Sequence, residues 1–317
     1  MKVIAAATRS AVVAALGDRR SVVTIGAYDG VHLGHRAVIG QVRSQTDKLG
    51  AVSVVVTFDR HPASVVRPES APRLLIDAEQ KLELLASTGV DATLVVPFDA
   101  AQSNEAPADF VRRVLVDALA VRVVIVGEDF HFGHKRGGNV QLLREMSVQY
   151  DYQVMPVRLV SRADEVDEPV SSTAIRRALA GGDVRRAAEM LGRDHEVRGV
   201  VGPGDQRGHT VGFPTANVQV DASICLPADG VYAALVTLSD GSRHVAAVNL
   251  GRRPTFHEHA EHSVLEAHLL DFSGDLYGQR LCVAFRAFLR GERKFSGIEA
   301  LKSQLALDVE HARLAMA

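Results

Sequence analysis

Two cysteines in 317 residues, Cys225 and Cys282, are too few for a disulfide framework and are not spaced as metal ligands. Reduced thiols in a core are the expectation, and with them a cytoplasmic location. Excess charge is also missing: 36 Lys and Arg stand against 38 Asp and Glu, for a net charge of −2. The basic pairs Arg112–Arg113 and Arg185–Arg186 are short enough to be solvated helix faces. A nucleic-acid partner is therefore not expected, and no basic recognition helix is visible. No stretch reaches the roughly 18 apolar residues that a membrane-spanning helix needs, so no membrane partner is expected either. The apolar start, MKVIAAATRSAVVAAL, is broken by Thr8, Arg9 and Ser10 and lacks a cleavage site, which argues against a signal peptide. Internal repeats and low-complexity tracts are absent. What is left is a chain 47% hydrophobic and 23% charged, the balance of a globular protein, with a length that suggests about two domains.

The first half alternates continuous apolar runs with helical periodicity. The runs are Val22–Ile25, Val52–Phe58, Thr93–Phe98, Val121–Val126 and Val154–Val160. Without polar alternation they fit parallel strands covered on both faces. Between them, Val38, Val42 and Leu49 follow helical spacing to Gly50, Asp77 caps Ala78–Thr88 with Gln80 three residues on, and Pro107 opens a helix to about Ala120. This is an α/β, Rossmann-like parallel sheet. The pattern stops near Gly181–Gly182, after which Asp183–Gly192 reads as one short connecting helix. Beyond it, runs with a period near two (Val197–Val201, Val231–Leu238, His244–Leu250, Leu265–Leu270, Leu281–Phe288) are punctuated by Gly, Pro, Asn and Asp. They predict an antiparallel β-barrel. A final helix from about Gly297 to Met316 carries Ile298, Leu301, Leu305 and Val309 on one stripe, read as core packing. The expected division is residues 1–184 and 185–317.

The chemistry concentrates in a few segments. Gly26–His35, GAYDGVHLGH, runs from a strand through a glycine-rich turn into a helix, the arrangement that presents backbone N–H groups to phosphate. His32 and His35 are three residues apart and share a helix face. Gly34 between them removes a side chain where a ligand backbone could approach. TFDRHP (Thr57–Pro62) and GEDFHFG (Gly127–Gly133) leave the carboxyl ends of other strands, so the three loops can meet over one site. In SSTAIR (Ser171–Arg176), Ser172 or Thr173 can cap a helix and leave N–H groups for an anion, with the Arg176 fork one turn in.

GAYDGVHLGH and SSTAIR resemble the signature pair of the HxGH nucleotidyltransferases. With TFDRHP and GEDFHFG, the first domain is similar to the FMN adenylyltransferase module of bacterial bifunctional riboflavin kinase/FAD synthetases. The resemblance implies that ATP is bound through Gly26, Asp29, His32, Gly34, His35, Ser172, Thr173 and Arg176. It assigns catalytic roles to His32, His35 and Arg176, and flavin contacts to Asp129 and Phe132.

The second half holds a long glycine-rich segment, GPGDQRGHTVGFPTAN (Gly202–Asn217), able to wrap phosphate; Thr215 and Asn217 offer hard oxygens suited to Mg²⁺. Glu266 lies in the strand-like LEAHLLDF. With NLGRRPTF, DLYG and LRGERKF these segments resemble the riboflavin kinase module of the same family. The resemblance places Gly202, Gly204, Arg207, Gly208, Thr215 and Asn217 at ATP, Thr215 and Asn217 at the metal, and Glu266, Arg290 and Phe295 at the flavin, with Glu266 as the catalytic base. The implied partners are small molecules only: riboflavin, FMN and ATP as substrates, FAD as product and Mg²⁺ as cofactor. No pattern in the chain speaks to its oligomeric state.

Three positions depart from the family pattern: Tyr28 for the usual Phe, Arg60 for Pro, and His209 for a basic Arg. His209 is expected to make ATP affinity in the kinase site weaker or dependent on pH. HEHAEH (His257–His262) lacks the His-Glu-x-x-His spacing of a zinc site and is read as a solvated loop. The competing readings are a chain with only the kinase live, a nucleotidyltransferase loading another acceptor, and a flavin-sensing regulator. Retention of both histidines and Arg176, the PTAN segment, and the lack of a DNA-binding helix argue against them in turn.

Overall fold

The computed structural model describes residues 1–158, 169–203, 212–252 and 263–316. They form two compact units, Met1–Ser171 and Ser172–Ala317. Gly204, Arg207, Gly208, His209 and the HEHAEH segment lie outside the described residues, as does the end of the expected run Val154–Val160.

The first unit contains strands β1 (Lys2–Ile4), β2 (Ser21–Ile25), β3 (Val52–Phe58), β4 (Ala92–Val96), β5 (Val121–Gly127), the short pair β6 (His131–Phe132) and β7 (Gly138–Asn139), and β8 (Gln153–Val157). Its helices include α1 (Arg9–Leu16), α2 (Leu33–Leu49), α3 (Pro62–Val66), α4 (Ala78–Ala86), α5 (Ala100–Ser103), α6 (Pro107–Phe110) and α7 (Val140–Tyr150). The sheet order is β1-β4-β3-β2-β5-β8, parallel throughout. The expected strands all form, and β1 is added at the edge. Successive strand residues feed opposite faces: Val23 and Ile25 join one core with Val12, Leu94 and Leu115, whereas Val22 joins Val42, Val123 and Ile125 on the other. Burial on both faces is why these strands carry no polar alternation.

Asp77 and Gln80 form the expected capping box on α4. The segment after Pro107 departs from expectation. It is α-helical only to Phe110, and Val111–Ala118 winds as a π-helix, with Leu119 N donating to Val114 O five residues back. Apolar spacing does not separate these two windings, because both keep Val111, Val114, Leu115 and Ala118 buried.

The second unit opens with α8 (Ser172–Ala180) and α9 (Val184–Leu191). Helix α9 is capped by Asp183, which accepts from Arg186 N, and ends at Gly192 with φ 73°. Strands β9 (His195–Gly202), β10 (Ala216–Val220), β11 (Gly230–Thr237), β12 (Arg243–Arg252), β13 (Ser263–Leu269) and β14 (Arg280–Arg290) close into an antiparallel barrel in the order β10-β13-β12-β11-β14-β9. Helix α10 (Ile298–Met316) follows. Two expectations are corrected here. Helix α8 begins at Ser172, so Ser172 and Thr173 sit inside its first turn rather than at the cap. On α10 the buried positions are Gln304, Asp308 and Ala312 rather than the apolar stripe. Ion pairing and hydrogen bonding to β14 bury that polar side.

Candidate active sites

In the first unit β2 delivers the chain into the loop Gly26–His32. Three of its residues have positive φ: Tyr28 (50°), Gly30 (84°) and Val31 (40°). Val31 is β-branched and wholly buried, so its backbone is strained, as recurs where a loop is held for function. His32 is the N-cap of α2, its Nδ1 accepting from His35 N at 3.3 Å. The two imidazoles stack with centroids 3.6 Å apart and 18° between planes. Burial pushes His35 well below the ordinary imidazole value, and neighbouring His32 lowers it further. His35 is therefore neutral at pH 7. Its Nδ1 is buried with no hydrogen-bond partner among the described residues, a polar atom of the kind a bound ligand satisfies.

The glycines serve the chain itself. A Cβ on Gly34 would meet Val170 O at 3.1 Å and the His32 ring at 3.2 Å; the close approach expected from a ligand is made by the protein's own backbone and imidazole. A Cβ on Gly26 would meet the Tyr28 ring at 3.1 Å, and Gly26 N donates to Val56 O. The Tyr28 hydroxyl shares a 2.7 Å hydrogen bond with Thr24, so the group it adds over Phe is satisfied. Burial raises its pKa far above the usual phenol value. Asp29 is buried and accepts from Leu75 N through both oxygens, at 2.9 and 3.1 Å.

The three loops meet in pairs. Ala27 and Asp29 share a small cavity with Asp59, Arg60, His61 and Lys81. Phe58 shares another with Phe98, Phe110 and Phe132. The rings there are 5.3 Å (Phe58–Phe98) and 5.7 Å (Phe110–Phe132) apart. Phe132 is buried within this aromatic group, whereas Asp129 is exposed and its carbonyl bonds His131 Nδ1. Lys81 donates from Nζ to Phe58 O at 3.1 Å. Burial lowers its pKa, while Asp29 and Asp59 draw it back up. Lys81 thus borders the first cavity and bonds the backbone of a residue that borders the second, a role that one polar position in a helix does not announce. Ser172, Thr173 and Arg176 lie on α8, in the second unit.

In the barrel, pairing assembles what the sequence keeps apart. Asn217 on β10 lies opposite Glu266 on β13, and Glu266 lies opposite Asn249 on β12. Directly opposed residues share a face, so three polar side chains form one row across three strands. Thr215, Asn249, Glu266, His268, Arg290 and Phe295 border a cavity of about 510 Å³ whose far wall is the α10 stripe Ile298, Leu301, Leu305 and Val309. The stripe lines a cavity instead of filling a core. A second cavity of about 440 Å³ is bordered by Thr215, Asn217, Phe272, Asp275 and Tyr277. Thr215 belongs to both. Arg290 is held by Asp308 through Nε at 2.9 Å and Nη2 at 2.6 Å. Gln304 donates to the same carboxylate at 2.7 Å and accepts from Arg293. Both guanidinium groups lie over Phe295, at 5.8 and 5.0 Å.

Two family models match the chain: FAD synthetase over residues 15–174 and riboflavin kinase over residues 191–316. Relatives named bifunctional riboflavin kinase/FMN adenylyltransferase include that of Pseudomonas fluorescens, 40% identical with 93% of each chain covered, and that of Haemophilus influenzae, 36% identical with 92% of each covered. The chain belongs to this family of bifunctional riboflavin kinase/FMN adenylyltransferases. A solved chain from Streptococcus pneumoniae named macrolide-efflux protein also superposes, with TM-score 0.86, 27% identity and 99% of each chain covered. Among the described residues of this family member no helix is long and apolar enough to cross a membrane.

Sequence reasoning missed Asn249, His268 and Asp308 besides Lys81. Asn249 was quoted in NLGRRPTF without a role, and only the β12–β13 register gives it one. His268 stands two residues after Glu266, on the same strand face, and that spacing was the available signal.

Proposed function

We propose that the two activities of this bifunctional enzyme are divided between residues 1–184, which adenylylate FMN to FAD, and residues 185–317, which phosphorylate riboflavin to FMN, in the cytoplasm. The observation that carries the reading is the row Asn217–Glu266–Asn249, whose Glu266 and Asn249 border a cavity large enough for a flavin while Asn217 borders the second cavity beside it. Glu266 takes the proton of the ribityl 5′-hydroxyl. That oxygen then attacks the γ-phosphorus of ATP, the bond to the bridging oxygen breaks, and ADP leaves. A positioned base of this kind contributes about 10²–10⁴-fold. The apolar α10 stripe and Phe295 face the ring system, and Thr215, common to both cavities, stands where the two substrates meet.

Among the described residues no group of three or more His, Cys, Asp or Glu side chains could hold a metal. A hydroxyl and an amide oxygen at Thr215 and Asn217 suit Mg²⁺, which takes few protein ligands and completes its shell with phosphate and water. When bound, it neutralises phosphate charge.

In the first unit a phosphate oxygen of FMN attacks the α-phosphorus of ATP in line and pyrophosphate leaves. Positioning and charge stabilisation suffice. His32 and His35 donate hydrogen bonds to the phosphates at the start of α2. By their motif, Ser172, Thr173 and Arg176 are assigned to the same ATP. Phe132 and Asp129 are assigned to the flavin side.

Incubation with riboflavin, ATP and Mg²⁺, followed by separation of FMN and FAD, tests the division. His32→Ala is expected to abolish FAD formation and leave FMN formation intact. Glu266→Gln is expected to stop FMN formation while supplied FMN is still converted to FAD. FAD made by His32→Ala at the wild-type rate would remove the first assignment.

A further inference from the structure

The segment before β10 is held in an unusual way. The β10–β13 ladder ends at Ala216↔Ala267 and the β10–β9 ladder at Asn217↔Gly202. Phe213, Pro214 and Thr215 therefore stand outside both ladders, and Pro214 has no N–H to give. One side chain of the neighbouring strand reaches them. His268 Nδ1 lies 2.7 Å from Pro214 O, and its ring meets the Phe213 ring edge-on at 5.4 Å and 66°. A carbonyl oxygen only accepts, so Nδ1 carries the hydrogen and the tautomer is fixed. His268 is two residues from Glu266 on the same strand, and both border the larger cavity together with Thr215.

We infer that His268 is a positioning residue of the kinase reaction: by donating to the Pro214 carbonyl it sets the Thr215 hydroxyl, at the junction of the two cavities, in register with Glu266. The inference rests on the kinase reading of this cavity. It assigns His268 no contact with substrate. Its role runs through Nδ1 and the backbone of the preceding loop, and small displacements of phosphate ligands are costly to transfer. Nothing in the proposal depends on the imidazole changing its charge.

The two amide side chains separate this role from a structural one. Asn places an N–H near the position of Nδ1, whereas Gln places it near Nε2. His268→Asn is expected to keep kcat/KM for ATP in FMN formation within about threefold of wild type, and His268→Gln and His268→Leu to lose roughly 10- to 100-fold. The loss should fall on ATP more than on riboflavin. Conversion of supplied FMN to FAD by the same preparations should stay at the wild-type rate, which confines the effect to the kinase reaction, and the barrel's melting transition should stay within a few degrees of wild type, which separates it from unfolding of the barrel. If Gln rescues better than Asn, the ring acts through Nε2 and the inference is overturned. Equal loss in Asn and Leu, or loss of FAD formation in parallel, overturns it as well. A wild-type chain that makes no FMN, or a Glu266→Gln variant that still makes it, would instead remove the kinase reading of the cavity.

Discussion

Asp308 is the side chain whose loss should be felt most widely in the barrel. Its carboxylate is 2% exposed and accepts from both Nε and Nη2 of Arg290, itself 19% exposed, and from Gln304. In Asp308→Asn the shape is kept but the guanidinium loses its counter-charge in a largely dry setting. Breaking one partner of a buried pair costs about 3–5 kcal/mol. The lower figure applies here because Arg290 still donates to Gly291 O at 3.0 Å. About 3 kcal/mol corresponds to a fall of roughly 10 °C in the melting temperature of a unit of this size. Calorimetry of the full chain should show this shift in the barrel transition, with the transition of the first unit unmoved. Because Leu301, Leu305 and Val309 of the same helix line the larger cavity, KM for riboflavin should rise while FAD formation from supplied FMN does not change. The double variant Arg290→Met with Asp308→Leu, which removes both charges, should recover most of the loss. A single-variant cost under about 1 kcal/mol, the range of exposed pairs, would refute the reasoning, and so would a double variant no more stable than Asp308→Asn.

Two further outcomes follow from the geometry. Gly34→Ala places a Cβ 3.1 Å from Val170 O and 3.2 Å from the His32 ring. It should lower kcat/KM for FAD formation by about tenfold or more and spare FMN formation, as assayed on the same preparation. His195 is buried with its Nε2 donating to Cys225 O at 2.8 Å, and burial holds its pKa at about 4. The unfolded chain binds that proton near pH 6.5, so the stability from neutral His195 is complete above 6.5 and is lost as pH falls toward 4. The loss is about 3 kcal/mol. Denaturant titrations of wild type and His195→Gln between pH 7 and 4 should differ by that slope.

What the sequence made legible follows from how local each feature is. Val22 and Val123 are buried on one face of the sheet and Val54 on the other, so their runs announce a covered parallel sheet without help from distant residues. The capping box of Asp77 and Gln80 spans one turn and is equally local. The His32–His35 pair is close in sequence and its rings do stack, but His32 caps α2 with an extended backbone instead of sharing a helix face with His35. The barrel row was not legible, because Asn217 and Glu266 are brought together only by strand pairing. The polar burial of Gln304 and Asp308 was hidden for the same reason: a stripe of Ile298, Leu301, Leu305 and Val309 reads as the inner face until Arg290 and Arg293 are known to wait on the other side. Lys81 gave no signal in the sequence, since nothing in its own helix reveals the carbonyl of Phe58.

The row across β10, β13 and β12 bears on how this barrel can vary. Its three members come from three separate stretches of chain and are aligned by ladder register alone. Side chains alternate faces at every step along a strand. A single-residue insertion inside β13, on the β12 side of Glu266, would turn its carboxylate toward the opposite face from Asn249, though no residue of the row had been substituted. Length polymorphism in descendants of this chain should therefore collect in the connections between strands, and indels within β10, β12 or β13 should be tolerated only in pairs that restore parity.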